Sequence, residues 1–170
     1  YLGQDGFTTV FTLTAQNASN QTTKNYEGNG TTGFAKLPLT VWGTAPASSA
    51  SPGFGFAVGS WSPSQPVGAP TATLAASSTA PSAIGTKPDN STVTNAWVLG
   101  KTTITAKHQV VRPTTVPALP TTATITTLPV DSDGVTMTSA ATLGASTLRY
   151  GKLSVDNAFG SERLSLPVKL

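Results

Sequence analysis

At 170 residues the chain can bury a real core, either as one β-rich domain or as two β subdomains of about 1–91 and 92–170. Only 10% of the residues are charged, the net charge is +3 and the cations stand singly, so the sequence offers no clustered basic face for nucleic acid and no apolar run of membrane-spanning length. The absence of cysteine excludes a disulfide framework, a thiolate metal site and a cysteine nucleophile.

Some thirty threonines supply the polarity that charges do not. Threonine is β-branched, which suits a pleated strand and disfavours helix. The chain starts YLGQDGF, with neither an initiator Met nor a signal peptide, and so reads as a piece of something longer, and the absence of a signal here says nothing about the parent chain.

In chain order, FTTVFTLTA (7–15) alternates strictly, with Phe7, Thr9, Phe11, Leu13 and Ala15 on one side, and predicts a half-buried strand. QNASNQTTKN and NYEGNG are turn and loop. GFAKLPLTVW (33–42) predicts a second strand, at an edge or bulged because Pro38 has no N–H to donate. Residues 43–91 are rich in Ala, Ser, Pro and Gly and predict a long, partly irregular insertion. FGFAV (54–58) and Trp61 still call for burial there, and TATLA (71–75) for a short strand. This excursion is expected to be removable without loss of the β fold.

Strands are expected again at about 93–98 and 101–111, with Gly100 near the turn between them. RPTTVPALP (112–120) is an extended crossing. TTATITTLPV (121–130) alternates, with Ala123, Ile125 and Thr127 on one side. TLRYGKLSVDNAFGSERLSLPVKL predicts strands over 147–156 and 162–169, joined at a turn where Gly160 takes positive φ at little cost. No helix-period pattern of useful length occurs. Many short strands between turn clusters predict an all-β fold, a β-sandwich of immunoglobulin-like, Greek-key outline.

The chemistry-bearing residues are few. His108 is the only histidine, and no G-x-S-x-G elbow accompanies it, so a surface or strand-face histidine is the expectation. Asp131 and Asp133 in VDSDGV resemble part of a Ca²⁺ loop. EF-hand register would place Pro129 and Ala140 at its first and last ligand positions, so any calcium would need a distant partner. A tight Asx turn explains the motif equally well. Asp5, Glu27, Asp89, Asp156 and Glu162 show no pairing of the kind that glycosidases need, and the domain reads as noncatalytic. Trp61 and Trp42 are candidates for an aromatic platform under a sugar ring, with core packing as the competing role. Lys101, Lys152 and Asn157 are of the types that form intramolecular isopeptide bonds in cysteine-free surface adhesins.

RYGKLSVDNAFGSERLSLPV, at the end of the chain, resembles the ending of the large domain of unknown function in MSHA pilus-biogenesis proteins of the MshQ type. YLGQDGFTTVFTLTAQNASNQTTKNYEG with GFAKL is similar to that family's opening, and RPTTVPALPTTATITTLPVDSDGV to the part between. The similarity covers about the first 37 residues and the last 60, in order. Lys152 stands where Arg is common, and Ser154 and Val155 near positions often held by Leu or Arg. These changes suit the same strand. The resemblance implies an exported protein at the bacterial cell surface, associated with type IV pili and often carrying a lectin-like domain elsewhere. It implies a role in adhesion or pilus assembly, with pilus or other envelope proteins, or surface glycans, as partners. It supplies no catalytic residue and no cofactor. The alternative reading from the residues is a carbohydrate-binding module using exposed aromatics.

Overall fold

The computed structural model describes residues 1–29, 33–40, 43, 46–64, 72–112 and 120–149. Among these residues eight strands follow in order: β1 (Phe7–Thr14), β2 (Phe56–Ser62), β3 (Thr73–Ala76), β4 (Ser82–Thr86), β5 (Thr92–Thr94), β6 (Lys101–Val111), β7 (Thr121–Thr127) and β8 (Ala141–Leu148). They make two antiparallel sheets, and the described residues contain no helix. One sheet runs β1-β6-β4-β5, with β3 also on β6; the other runs β2-β7-β8. The molecule is a β-sandwich, as the threonine-laden alternation predicts.

Strand β6 organises the larger sheet. From Lys101 to His108 it pairs with the whole of β1, from Thr14 to Phe7. Its opposite edge is shared by β3, against 108–111, and β4, against 103–105. The two-residue period sends Ile104, Ala106, His108 and Val110 inward, while Lys101, Thr103 and Thr105 lie on the outer face. Threonines on the outer faces pair across strands: Thr12 with Thr103 at 3.2 Å and Thr122 with Thr147 at 2.9 Å.

Two apolar clusters fill the sandwich. The larger holds Leu37, Leu39, Phe54, Phe56, Trp97 and Ile104. The smaller holds Leu2, Ala72, Val110, Ala123 and Leu148, and Leu74 packs on both. Phe54 and Phe56 stack at 5.5 Å, and Phe11 meets each of them edge-on at 6.2 Å. A side chain this large contributes about 2–3 kcal/mol when fully buried.

The 43–91 stretch is therefore part of the fold. It supplies β2, β3 and β4, and its Phe54, Phe56, Ala72 and Ala83 are core residues. Removing it would open both clusters, contrary to the expectation of a dispensable excursion. Each sheet also draws strands from both sides of residue 91.

Other differences have local causes. Residues 33–40 form no strand, although Ala35, Leu37 and Leu39 are buried at every second position, as in a half-buried strand. Pro38 cannot donate, and the amides of Lys36 and Leu37 bond to the Tyr26 hydroxyl instead of to a ladder. The strand expected at 93–98 stops at Thr94, because Asn95 takes φ +51° and its amide and side chain cap Ala83. Strand β4 went unforeseen in SAIGT. Its Gly85 is needed there, since a Cβ would lie 2.5 Å from Val98 Cγ2 and 2.7 Å from the Ala96 carbonyl oxygen. The strand expected from 147 begins at Ala141, in small residues that look like loop. Residues 150–170, with the rest of that strand and the one at 162–169, lie outside the described residues, as do 113–119.

Candidate functional site

The polar residues that suggested chemistry turn out to be ties between segments. Asp131 follows β7 and is only 4% exposed. Its Oδ1 accepts the amides of Asp133 at 3.0 Å and Val135 at 2.8 Å, which is the Asx turn that D-S-D-G permits. Gly134, at φ +79°, closes that turn by donating to the Asp131 carbonyl. Asp131 Oδ2 accepts the Tyr26 hydroxyl at 3.0 Å. Desolvation is the main cause that raises the Tyr26 phenol above its usual range.

Asp133 is exposed, and among the described residues no group of three His, Cys, Asp or Glu comes together as a metal site needs. An ion at Asp131 would have to displace donors that already satisfy its carboxylate.

His108 is fully buried, so it is a strand-face residue and not a surface one. Its ring lies 5.4 Å from Phe7 and 4.9 Å from Phe56, on the inner face of β6. Burial holds its pKa down at about 4, and it is neutral at ordinary pH.

Asp5 is exposed and accepts the amide and hydroxyl of Ser78, tying the N-terminal segment to the loop after β3. Hydrogen bonds from Ser77 and Ser78 bring its carboxyl down to about 2. Asp89 accepts the amide and hydroxyl of Ser91 within its own turn, and these bonds lower its pKa. Glu27 accepts the amide of Leu99 at 3.1 Å. Asp156, Glu162, Lys152 and Asn157 lie outside the described residues.

Trp61 is on β2, half-buried. A bulge between Val58 and Ser60 turns it to the same side as Phe56 and Val58, where it packs on the smaller cluster. Trp42 lies outside the described residues. Trp97, the third tryptophan, is a core residue, 4.9 Å edge-on from Tyr26.

Sequence reasoning missed a groove of about 380 Å³ on the outer face of the larger sheet. Thr12, Thr103 and Ile84 form part of its sheet floor. The turns at 87–88 and 98–99 and the segment carrying Thr22 and Lys24 wall it. The signal for it was dispersed: three lysines far apart in sequence, Lys24 in the segment after β1, Lys87 just after β4 and Lys101 at the start of β6.

The fold and these ties define a cysteine-free antiparallel sandwich in which polar side chains close loops onto sheets. The family model described as "DUF6701, third domain" matches residues 1–151, and the chain belongs to that family. No curated protein and no solved structure matches it. Among the described residues no helix is long and apolar enough to cross a membrane, which says nothing of a β-barrel.

Proposed function

We propose that the chain is a noncatalytic domain of an exported, cell-surface protein of the MshQ type, acting in adhesion or in assembly of a type IV pilus. It works by holding loops and sheet faces rigidly toward other envelope proteins. The observation that carries this reading is the use to which the acids and histidine are put. Asp131 closes a turn and receives Tyr26, Asp5 clamps a loop, Asp89 closes its own turn, and His108 packs between phenyl rings. Each is committed to the fold, whereas catalysis needs such groups convergent in a cleft. The similarity of the opening and closing stretches to MshQ-type proteins supports the pilus context.

The test is made in the parent protein, with residues 1–149 excised in frame and cells scored for piliation and surface attachment. Loss of either, with the shortened protein still exported, supports the reading. Unchanged piliation and attachment contradict it. Excising only 43–91 would not be informative, because that segment carries Phe54 and Phe56 of the core.

A further inference from the structure

We propose that the groove on the outer face of the larger sheet binds an extended acidic segment of a partner polypeptide that also carries aliphatic side chains. Lys24, Lys87 and Lys101 stand on its rim, all exposed. None of the three forms an ion pair with another described residue within 4.0 Å. The acids nearest in sequence are Glu27, which accepts the amide of Leu99, and Asp89, which accepts from Ser91 and interacts electrostatically with Lys87, so three lysines face two carboxylates and the balance is positive. A positive rim over a low-dielectric floor attracts anions and raises their local concentration.

The floor says which anion. Ile84 is 41% exposed and Leu99 37%, and Val98 lies beside them. Leu99 sits in the two-residue turn between Val98 and Lys101, which bond to each other in both directions. It takes φ +50° and Gly100 φ +76°. Asn, Asp or Gly fills the first of those positions at less cost than leucine. A bulky apolar side chain held in that backbone region and presented to solvent is an expensive arrangement, and it places an aliphatic surface between lysines. Sugar rings stack on aromatic faces, and among the described residues no aromatic side chain lines the groove. Carboxylates alternating with aliphatic side chains match both features of the site, which favours polypeptide over acidic glycan. The inference requires only the groove and is independent of the pilus reading.

The test uses the folded chain and a short fluorescein-labelled peptide alternating Asp or Glu with Leu or Val. Its controls are a Lys/Leu peptide, polyglutamate and polygalacturonate, with fluorescence anisotropy as readout. The expected result is saturable binding to the acidic aliphatic peptide only, weakening as salt rises. The combined variant Lys24→Glu, Lys87→Glu, Lys101→Glu should reduce affinity at least tenfold, and Ile84→Ser severalfold, with circular dichroism unchanged. Equal binding of polyglutamate, or indifference to Ile84→Ser, overturns the aliphatic part of the claim. Preference for polygalacturonate overturns it in favour of a glycan. No binding, or binding unaffected by the lysine changes, overturns it altogether.

Discussion

The Tyr26 hydroxyl donates to Asp131 Oδ2 at 3.0 Å while it accepts the amides of Lys36 and Leu37 at 3.1 and 3.0 Å. One phenol thus joins three segments that no ladder connects, and it uses its donor and both acceptor positions in doing so. It is why residues 33–40 can bury Ala35, Leu37 and Leu39 without being a strand.

Tyr26→Phe keeps the ring against Trp97 but strips those three bonds. Buried donors left unmade cost about 1–3 kcal/mol each, and water will recover part of that at the exposed Lys36. A loss of about 2–3 kcal/mol in urea denaturation is expected, with no change in slope. A loss below about 0.5 kcal/mol would show that the phenol does not hold these segments.

His108 sets a pH dependence. Its pKa falls from the usual 6.5 to about 4 in the folded chain because burial penalises the charged ring. Between those values the unfolded chain binds a proton that the native one does not. Stability from the neutral ring is fully present above about pH 6.5 and is lost as pH falls through about 4. The whole effect is at most about 3 kcal/mol. Thermal melts of the wild type should fall across this window, while those of His108→Leu stay flat. The windows of Asp5 and Asp89 lie lower, below about pH 4, so parallel slopes in both proteins across 4–6.5 would refute the assignment.

Trp61→Ala discriminates packing from sugar binding. The side chain packs on the smaller cluster, so its removal should cost about 2 kcal/mol and lower Tm by roughly 4–8 °C. Loss of a saturable glycan-array signal at unchanged Tm would instead support the carbohydrate reading.

Calcium has little to bind at Asp131 once its oxygens hold Tyr26, Asp133 and Val135. Adding millimolar Ca²⁺, or EDTA, should leave Tm unaltered. A rise of several degrees with Ca²⁺, abolished by Asp133→Asn, would show a site that uses these acids.

The alternation of β1 was legible almost residue by residue, because a strictly periodic run admits one reading, and the bounds of β6 were legible as 101–111. Burial was legible even where strand structure was not: Leu37 and Leu39 point inward as their period requires, and Tyr26 replaces the ladder. Strands β4 and β8 were hidden because Gly85, Gly144 and runs of Ala and Ser look like linker, and only the approach of Val98 explains Gly85. The role of Asp131 was half legible. D-S-D-G announces a turn, but nothing in the chain announces a partner 105 positions away. The lysine groove was invisible for the same reason, since its rim is assembled from segments far apart in sequence.

We propose that this sandwich binds envelope proteins and does no chemistry. Biolayer interferometry of the folded chain on sheared, intact type IV pili tests it most directly. The expected result is saturable, salt-sensitive association with no change in the pilin. An absence of association at every salt concentration, or time-dependent cleavage or modification of the pilin by the purified chain, would contradict it.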